Sequence, residues 1–263
     1  MAAQHRHPPI IAFVSDFGTR DRARPMVIAH RGASAHAPES TEAAIRLALR
    51  QRSDMIELDV QMTRDRRLVI FHDQRLDRTT DGRGRLTSWT YARLARLDAG
   101  GWLAARFRGQ RILLVSQALR LVPPPARVNL ELKRPFRGSR FDAVSRVVAC
   151  IRRSRAWRRT LISSFDASLI ARVRTGAPSL ATALLCHARP ARSLRRAAAL
   201  GCIAWHPRAS LITPARVRAA HQQGLRVHAW TVDRRSEARR LLRAGVDGVF
   251  TNRPDRMRPL CAT

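Results

Sequence analysis

Short apolar runs rich in β-branched residues alternate along this chain with longer amphipathic stretches, and this alternation constrains the fold more than any other feature. It is typical of βα units that build a parallel sheet. Two amphipathic stretches end at glycine, at Gly224 and Gly245, and a new apolar run follows each, as expected where a helix stops and a strand starts. The candidate strands are Val27–His30, Met55–Val60, Leu68–His72, Val128–Leu132, Leu161–Ser164, Ala181–Leu185, Cys202–Trp205, Arg226–Val232 and Val246–Thr251.

The candidate strands are one too many for a closed eight-stranded barrel, and the third candidate explains the excess. The segment Gln61–Arg67 before it is too short for a parallel crossover, which needs about a dozen residues. Because it contains the turn-like pair Asp65–Arg66, we expect the third run to return as a hairpin arm, with His72 roughly opposite Asp59. The remaining units predict an α/β fold, a (β/α)8 TIM barrel with a small insertion after the second strand and its hairpin.

The barrel is expected to form a single domain over residues 26–258. Residues 75–125 fit no βα unit and are expected to form the insertion, over one end of the barrel. Residues 1–25 are expected to be an irregular N-terminal extension, whose apolar run Ile10–Val14 is too short for the core of a signal peptide. No stretch approaches the ~18 consecutive apolar residues of a membrane helix. We therefore expect no membrane span and a cytoplasmic location.

The chain carries 50 Lys and Arg residues against 19 Asp and Glu, a formal net charge of +31. An excess of this size is typical of proteins that bind nucleic acid or anionic membranes. Here all but one of the cations are arginine, since Lys133 is the only lysine, and they are spread over the whole length. Dispersed arginine indicates a coding bias rather than a binding patch, so we expect no specific nucleic-acid partner.

Charged side chains cluster at the C-terminal ends of the predicted strands, where parallel α/β folds place their functional residues. Residues two apart on a strand point to the same face, so three carboxylates are expected to converge inside the barrel. They could not all ionise there without a bound cation, and an oxygen-only set favours Mg²⁺ or Ca²⁺ over zinc. The residues at these strand ends are His30, Arg31, Glu57, Asp59, His72, Glu131 and Lys133.

The histidines and cations at the same strand ends indicate the kind of reaction. Imidazole, whose unperturbed pKa is about 6.5, suits proton transfer near neutral pH. Arg31 and Lys133 add fixed positive charge, which suits a phosphate. A divalent metal, two histidines and two cations together point to cleavage of a phosphate ester rather than to another reaction class.

Several segments that contain these residues follow one another in a characteristic order from about Val27 to Asp255. They are His30–Gly32, Ala37–Thr41, Ile56–Val60, Phe71–Asp73, Leu76–Gly82, Leu97–Trp102, Asn129–Lys133, Ala229–Val232 and Gly245–Pro254. In sequence and spacing they resemble the motifs of the glycerophosphodiester phosphodiesterase family, and the cytoplasmic bacterial type in particular. The chain departs from the usual loop of that family at Ser40, where an asparagine is typical.

The resemblance implies a metal-dependent reaction and names its chemical groups. Glu57, Asp59 and Glu131 would bind one divalent metal ion, Mg²⁺ or Ca²⁺. His30 and His72 would act as the general acid and base. The implied reaction is hydrolysis of glycerophosphodiesters, such as glycerophosphocholine and glycerophosphoethanolamine, to sn-glycerol 3-phosphate and an alcohol.

The resemblance also implies how the substrate is held. Arg31 and Lys133 would contact the phosphate, and Trp230 would line the glycerol pocket. Glu39 would orient a histidine or hold the first loop. The implied partner is thus a small-molecule diester.

Two other functions stay open at this point. One is phospholipase D-type cleavage of a lysophospholipid, because the same barrel can support it and a fold does not determine the substrate. An apolar pocket mouth built from residues 75–125 would favour that reaction. The other is a non-enzymatic protein that binds anions or nucleic acid through its positive surface, which would have no need of the three carboxylates.

Overall fold

The computed structural model describes Phe17, residues 24–133 and residues 140–262, with the side chains of residues 140–142 excepted. Most of the extension predicted over residues 1–25 lies outside these described residues. The strands are β1 (Met26–His30), β2 (Met55–Met62), β3 (Leu68–Ile70), β4 (Arg127–Leu132), β5 (Thr160–Ser164), β6 (Ala181–Cys186), β7 (Ala204–Pro207), β8 (Arg226–Ala229) and β9 (Gly248–Thr251).

Helices connect the strands and surround the sheet. Three of them begin at side chains that cap a backbone N–H, namely Thr41, Asp166 and Thr213. No described helix is both long enough and apolar enough to cross a membrane. The helices are α1 (Glu42–Arg50), α2 (Tyr91–Leu94), α3 (Val115–Leu121), α4 (Arg140–Arg153), α5 (Ala167–Gly176), α6 (Pro190–Ala199), α7 (Pro214–Gln222), α8 (Arg235–Arg243) and α9 (Pro254–Met257), and single 3₁₀ turns span Leu86–Ser88, Ala105–Phe107, Trp157–Arg159, Ala209–Leu211 and Arg258–Leu260.

The sheet closes into a barrel of parallel strands. Its strand order is β1-β9-β8-β7-β6-β5-β4-β2, and pairing of β1 with β2 closes the ring. β3 lies outside the ring and pairs antiparallel with β2. The structure therefore confirms the predicted (β/α)8 barrel with an extra hairpin arm.

The hairpin that follows β2 differs from its prediction by one residue. Thr63 N–H donates to the carbonyl of Arg67 at 3.0 Å, and Arg66 adopts a left-handed φ of 59° in the turn between them. This turn makes Phe71, rather than His72, the partner of Asp59, whose carbonyl accepts from Phe71 N–H at 2.9 Å. His72 lies immediately beyond that pair.

The residues predicted as an insertion divide between two apolar cores. A small core outside the barrel consists of Val69, Phe71, Leu76, Leu86, Leu94, Ala99 and Ile112. In contrast, Val115, Ala118 and Leu119 of α3 pack into the main core between the sheet and its helices. α3 is thus the barrel helix that leads into β4.

Candidate active site

Three carboxylates meet inside the C-terminal end of the barrel because of the strand periodicity and register. Glu57 and Asp59 lie two apart on β2 and so share its inner face, and Asp59 pairs in register with Glu131 of β4. One carboxylate oxygen from each residue lies within 4.8 Å of the others. All three side chains are buried.

Two cations pair with part of this acidic cluster. Lys133 Nζ lies 2.8 Å from Asp59 Oδ1 and also pairs with Glu131 Oε1. Arg31 Nε lies 3.2 Å from Asp59 Oδ2. Although burial raises the pKa of Asp59, Lys133 and Arg31 outweigh it and hold that pKa below its ordinary value. Asp59 is therefore the carboxylate that the protein itself keeps ionised.

Glu57 and Glu131 are less well compensated. Burial first, and then the neighbouring Asp59 and Glu131 carboxylates, raise the pKa of Glu57 well above its ordinary value. Burial and Asp59 likewise raise the pKa of Glu131 to about 7. Within the described residues, Glu57 Oε1 is buried and accepts no hydrogen bond. A set of buried oxygen donors whose negative charge is only partly compensated fits a hard divalent cation, so these residues could hold a metal ion.

His30 is held in one orientation by residues from the far end of the chain. Its Nδ1 lies 2.8 Å from Asn252 Oδ1, while Asn252 Nδ2 donates to Asp233 Oδ2 at 2.7 Å. Because Asp233 fixes the amide, the Asn252 oxygen faces His30 and accepts a hydrogen bond from Nδ1–H. His30 Nε2 then carries no proton and has a free lone pair. This atom lies 4.0 Å from Glu57 Oε2.

His30 is also neutral at physiological pH. Burial, and then the charge of Arg31, lower the pKa of His30 to about 4. A neutral imidazole with a free Nε2 can accept a proton. The geometry and the charge of this site thus favour a base at this position.

His72 has a charged partner instead of a neutral one. Its Nδ1 lies 2.6 Å from Asp73 Oδ1, and Asp73 Oδ2 accepts from Arg78 Nε at 2.6 Å. Burial raises the pKa of Asp73, but hydrogen bonds from Arg78 and His72 outweigh it and lower the pKa to about 2. Asp73 is therefore an ionised acceptor that keeps a proton on Nδ1 of His72. The other nitrogen of His72, Nε2, is then available for proton transfer.

Glu39 lies between Arg31 and Arg78 and contacts both. Its Oε1 accepts from Arg31 Nη1 at 3.1 Å and from Arg78 Nη2 at 2.7 Å, and its Oε2 accepts from Arg78 Nη1 at 2.8 Å. In the described structure its contacts are with arginines rather than with a histidine. Of the two roles implied by the resemblance, these contacts fit that of holding the loop.

Trp230 lies at the same end of the barrel as the carboxylate cluster. It follows β8, its Nε1 donates to the carbonyl of His206 at 2.8 Å, and its ring meets Phe165 edge-on at 5.5 Å between centroids. The structure thus brings Trp230 together with Phe165, and brings the other predicted residues together around Asp59.

Sequence reasoning assigned no role to several residues of the site. They are Asp73, Arg78, Phe165, Asp233 and Asn252. Three of them stand inside segments that carry the family resemblance, in Phe71–Asp73, Leu76–Gly82 and Gly245–Pro254. Their positions were therefore visible in the sequence, whereas their contacts were not.

The barrel, its buried acidic cluster and the flanking histidines define a TIM-barrel phosphodiesterase. The sequence profile of the Glycerophosphoryl diester phosphodiesterase family matches residues 30–256. The chain belongs to this family.

Similar proteins of known name agree with that assignment. The chain is 34% identical over 232 residues to a glycerophosphodiester phosphodiesterase of Caldanaerobacter subterraneus, covering 88% of this chain and 95% of that one. It is 31% identical over 253 residues to one of Bacillus subtilis, covering 88% and 85%. A phosphodiesterase structure from Oleispira antarctica, in complex with the product sn-glycerol-3-phosphate, superposes with a TM-score of 0.84 at 32% identity, covering 90% and 96%.

Proposed function

We propose that this chain hydrolyses glycerophosphodiesters to sn-glycerol 3-phosphate and an alcohol, with glycerophosphocholine and glycerophosphoethanolamine among its substrates. The observation that carries the proposal is the buried cluster of Glu57, Asp59 and Glu131, with His30 and His72 near it. The product bound to the Oleispira antarctica phosphodiesterase supports the same reaction.

The proposed metal site consists of Glu57, Asp59 and Glu131, and Mg²⁺ or Ca²⁺ would suit its oxygen donors. A divalent ion held there would supply positive charge that stabilises the phosphoryl oxygens in the transition state. Lys133 and Arg31 would add to that charge from their positions beside Asp59. Both would contact the phosphate of the substrate.

The two histidines would move the protons. His30 Nε2 would take a proton from the nucleophile, which is water or the hydroxyl of the substrate next to the phosphate. In the second case the first product is a cyclic phosphodiester, and a water molecule would then add to phosphorus and open the ring to give sn-glycerol 3-phosphate. As the new O–P bond forms, the bond from phosphorus to the departing alkoxide oxygen breaks, and His72 Nε2 would protonate that oxygen. The neutral Asn252 contact suits His30 to the first role, and the Asp73 carboxylate suits His72 to the second.

Trp230 and Phe165 would enclose the glycerol. Their rings meet edge-on and offer an apolar wall at the barrel mouth. Glu39 would hold Arg31 in place from outside the site.

Release of sn-glycerol 3-phosphate from the two named diesters, with Mg²⁺, with Ca²⁺ and with a chelator, tests this function. We expect release with at least one metal and none with the chelator. Glu131→Gln should lose both metal affinity and activity. An absence of release from both diesters, with one metal ion shown by calorimetry to be bound, would overturn the proposal.

A second candidate is cleavage of a lysophospholipid, and one observation favours it. Trp102 and Leu103, on the insertion, are 39% and 37% exposed. Adjacent exposed apolar side chains are found where proteins meet a lipid surface. Lysophosphatidylcholine is therefore the third substrate to test, and a rate above that for glycerophosphocholine would favour this candidate.

A further inference from the structure

A cleft of about 440 Å³ lies at the C-terminal end of β6, which is the end of the barrel that carries the proposed active site. Phe165 and His187 form one side of it, and three arginines of α6 or its N-cap form another: Arg189, Arg192 and Arg196. The remaining lining residues, which include Ser193, are small, apolar or neutral. Apart from Phe165, no residue that lines this cleft has a part in the functions assigned above.

Phe165 connects the cleft to the active site. It follows β5, where Ser163 pairs in register with Glu131. The Phe165 ring lies 5.5 Å from Trp230 on one side and 5.4 Å from His187 on the other. Because neighbouring strands are about 4.8 Å apart, β6 is about 10 Å from Glu131 on β4, and the arginines of the cleft follow β6 in the chain. A substituent about eight bonds beyond the reacting phosphorus spans such a distance.

The charges along this cleft are all of one sign. Arg189, Arg192 and Arg196 follow the spacing of residues that share one face of a helix. All three are exposed, and none forms an ion pair with another described residue. The nearest acidic residue in sequence, Asp166, accepts from Ser168 N–H at 2.9 Å and from Ser168 Oγ at 2.7 Å as the N-cap of α5. The cleft therefore presents three guanidinium groups and no carboxylate of its own.

We propose that this cleft binds a second anionic group on the substrate, so that diesters carrying an additional phosphate or carboxylate are preferred over zwitterionic ones. The inference rests on the proposed function and specifies its substrate class. Guanidinium groups bind phosphate and carboxylate oxygens in a bidentate manner. The trimethylammonium group of glycerophosphocholine is repelled by the same three arginines.

The test compares kcat/KM for bis(glycerophospho)glycerol, counted per diester bond, with kcat/KM for glycerophosphocholine. With metal present and at low salt, we expect the ratio to favour the dianionic substrate by about 10-fold, since partly exposed charges act at this strength. The ratio should fall towards one as added salt screens the arginines. A ratio of one or below at low salt would overturn the inference.

Arginine variants test whether the cleft causes this substrate preference. The double change Arg192→Gln and Arg196→Gln should bring the ratio close to one, and Arg192→Glu should reverse it. Arg195→Gln is the matched control, because Arg195 is an exposed residue of the same helix that does not line the cleft. If the ratio is unchanged in the double variant, or falls equally in the control, the cleft does not select the substrate and the inference fails, although the proposed function stands. If no diester is cleaved by the unmodified enzyme, both fail together.

Discussion

The inside of the barrel has two ends that differ in chemistry although the same strands build both. At the N-terminal end the inward side chains are apolar, and they include Met26, Ile28, Met55, Leu161 and Phe250, all buried in one cluster. At the C-terminal end the inward side chains of β1 and β2 are ionisable, namely His30, Glu57 and Asp59. On β2 the inward side chains change from apolar to ionisable within two residues, from Met55 to Glu57.

This difference separates the part of the barrel that stabilises it from the part that reacts. Burial of apolar area at the N-terminal end contributes about 25 cal/mol per Å² to the free energy of folding. Buried carboxylates at the other end oppose folding until a cation compensates them. Substitutions at the two ends should therefore affect different measurements, and the following four predictions are arranged by the size of the expected effect.

The largest effect is expected for His72→Ala at the reactive end. Loss of a positioned acid should reduce kcat by about 10²- to 10⁴-fold, while the free energy of unfolding changes little because the side chain is part-exposed. Steady-state kinetics and urea unfolding measure the two quantities. His221→Ala, at a histidine paired with Asp247 far along the chain, is the control. Near-full activity of the His72 variant with metal bound would remove His72 from the mechanism.

Met55→Ala tests the apolar end of the barrel, where we expect a loss of stability rather than of activity. Truncation of a fully buried methionine should lower the free energy of unfolding by about 2–5 kcal/mol, through lost burial and the cavity left behind. The activity of the molecules that remain folded should be close to normal. Chemical denaturation and a rate per folded molecule check this. A large fall in kcat with little loss of stability would show that the two ends are not separate.

Asn252→Ala should have an intermediate effect on activity. Without the amide oxygen, His30 loses the group that holds the proton on Nδ1, and a supporting contact of this kind is worth about 10- to 100-fold in rate. ¹⁵N spectra of the imidazole should show the proton moving between the two nitrogens. Ser34→Ala, which removes only the hydroxyl that shares the same oxygen, should show a smaller loss. An unchanged ¹⁵N spectrum would contradict the assignment.

The smallest effect concerns the pH dependence of stability without metal. The pKa of Glu131 is about 7 in the folded state, through burial and Asp59, against an ordinary 4.5. Between these values the folded state binds more protons than the unfolded state, so stability should fall as pH rises through that window. Glu131→Gln should flatten the curve and gain about 1–2 kcal/mol near neutral pH. Thermal unfolding with chelator across this pH range measures it, and an equal slope in both proteins would contradict it.

Much of the reactive end could be predicted from sequence because its parts depend on local periodicity. Glu57 and Asp59 share a face through the two-residue period of one strand, and the short segment after β2 indicated the hairpin. Asn252 could not be assigned in the same way, because its contact with His30 joins residues 222 positions apart. The predicted position of His72 opposite Asp59 differs by one residue from the structure, because the register of the hairpin depends on the left-handed turn at Arg66.

Closure of the ring has a consequence for the order in which the enzyme matures. β2 and β4 are adjacent in the sheet, so an unclosed sheet already brings Glu57, Asp59 and Glu131 together. Asn252 reaches His30 only through the β1–β9 pairing, which joins strands at opposite ends of the described chain. A chain that refolds from denaturant can therefore regain its affinity for metal before its catalytic activity. The delay between the two recoveries measures when β1 and β9 pair and the barrel closes.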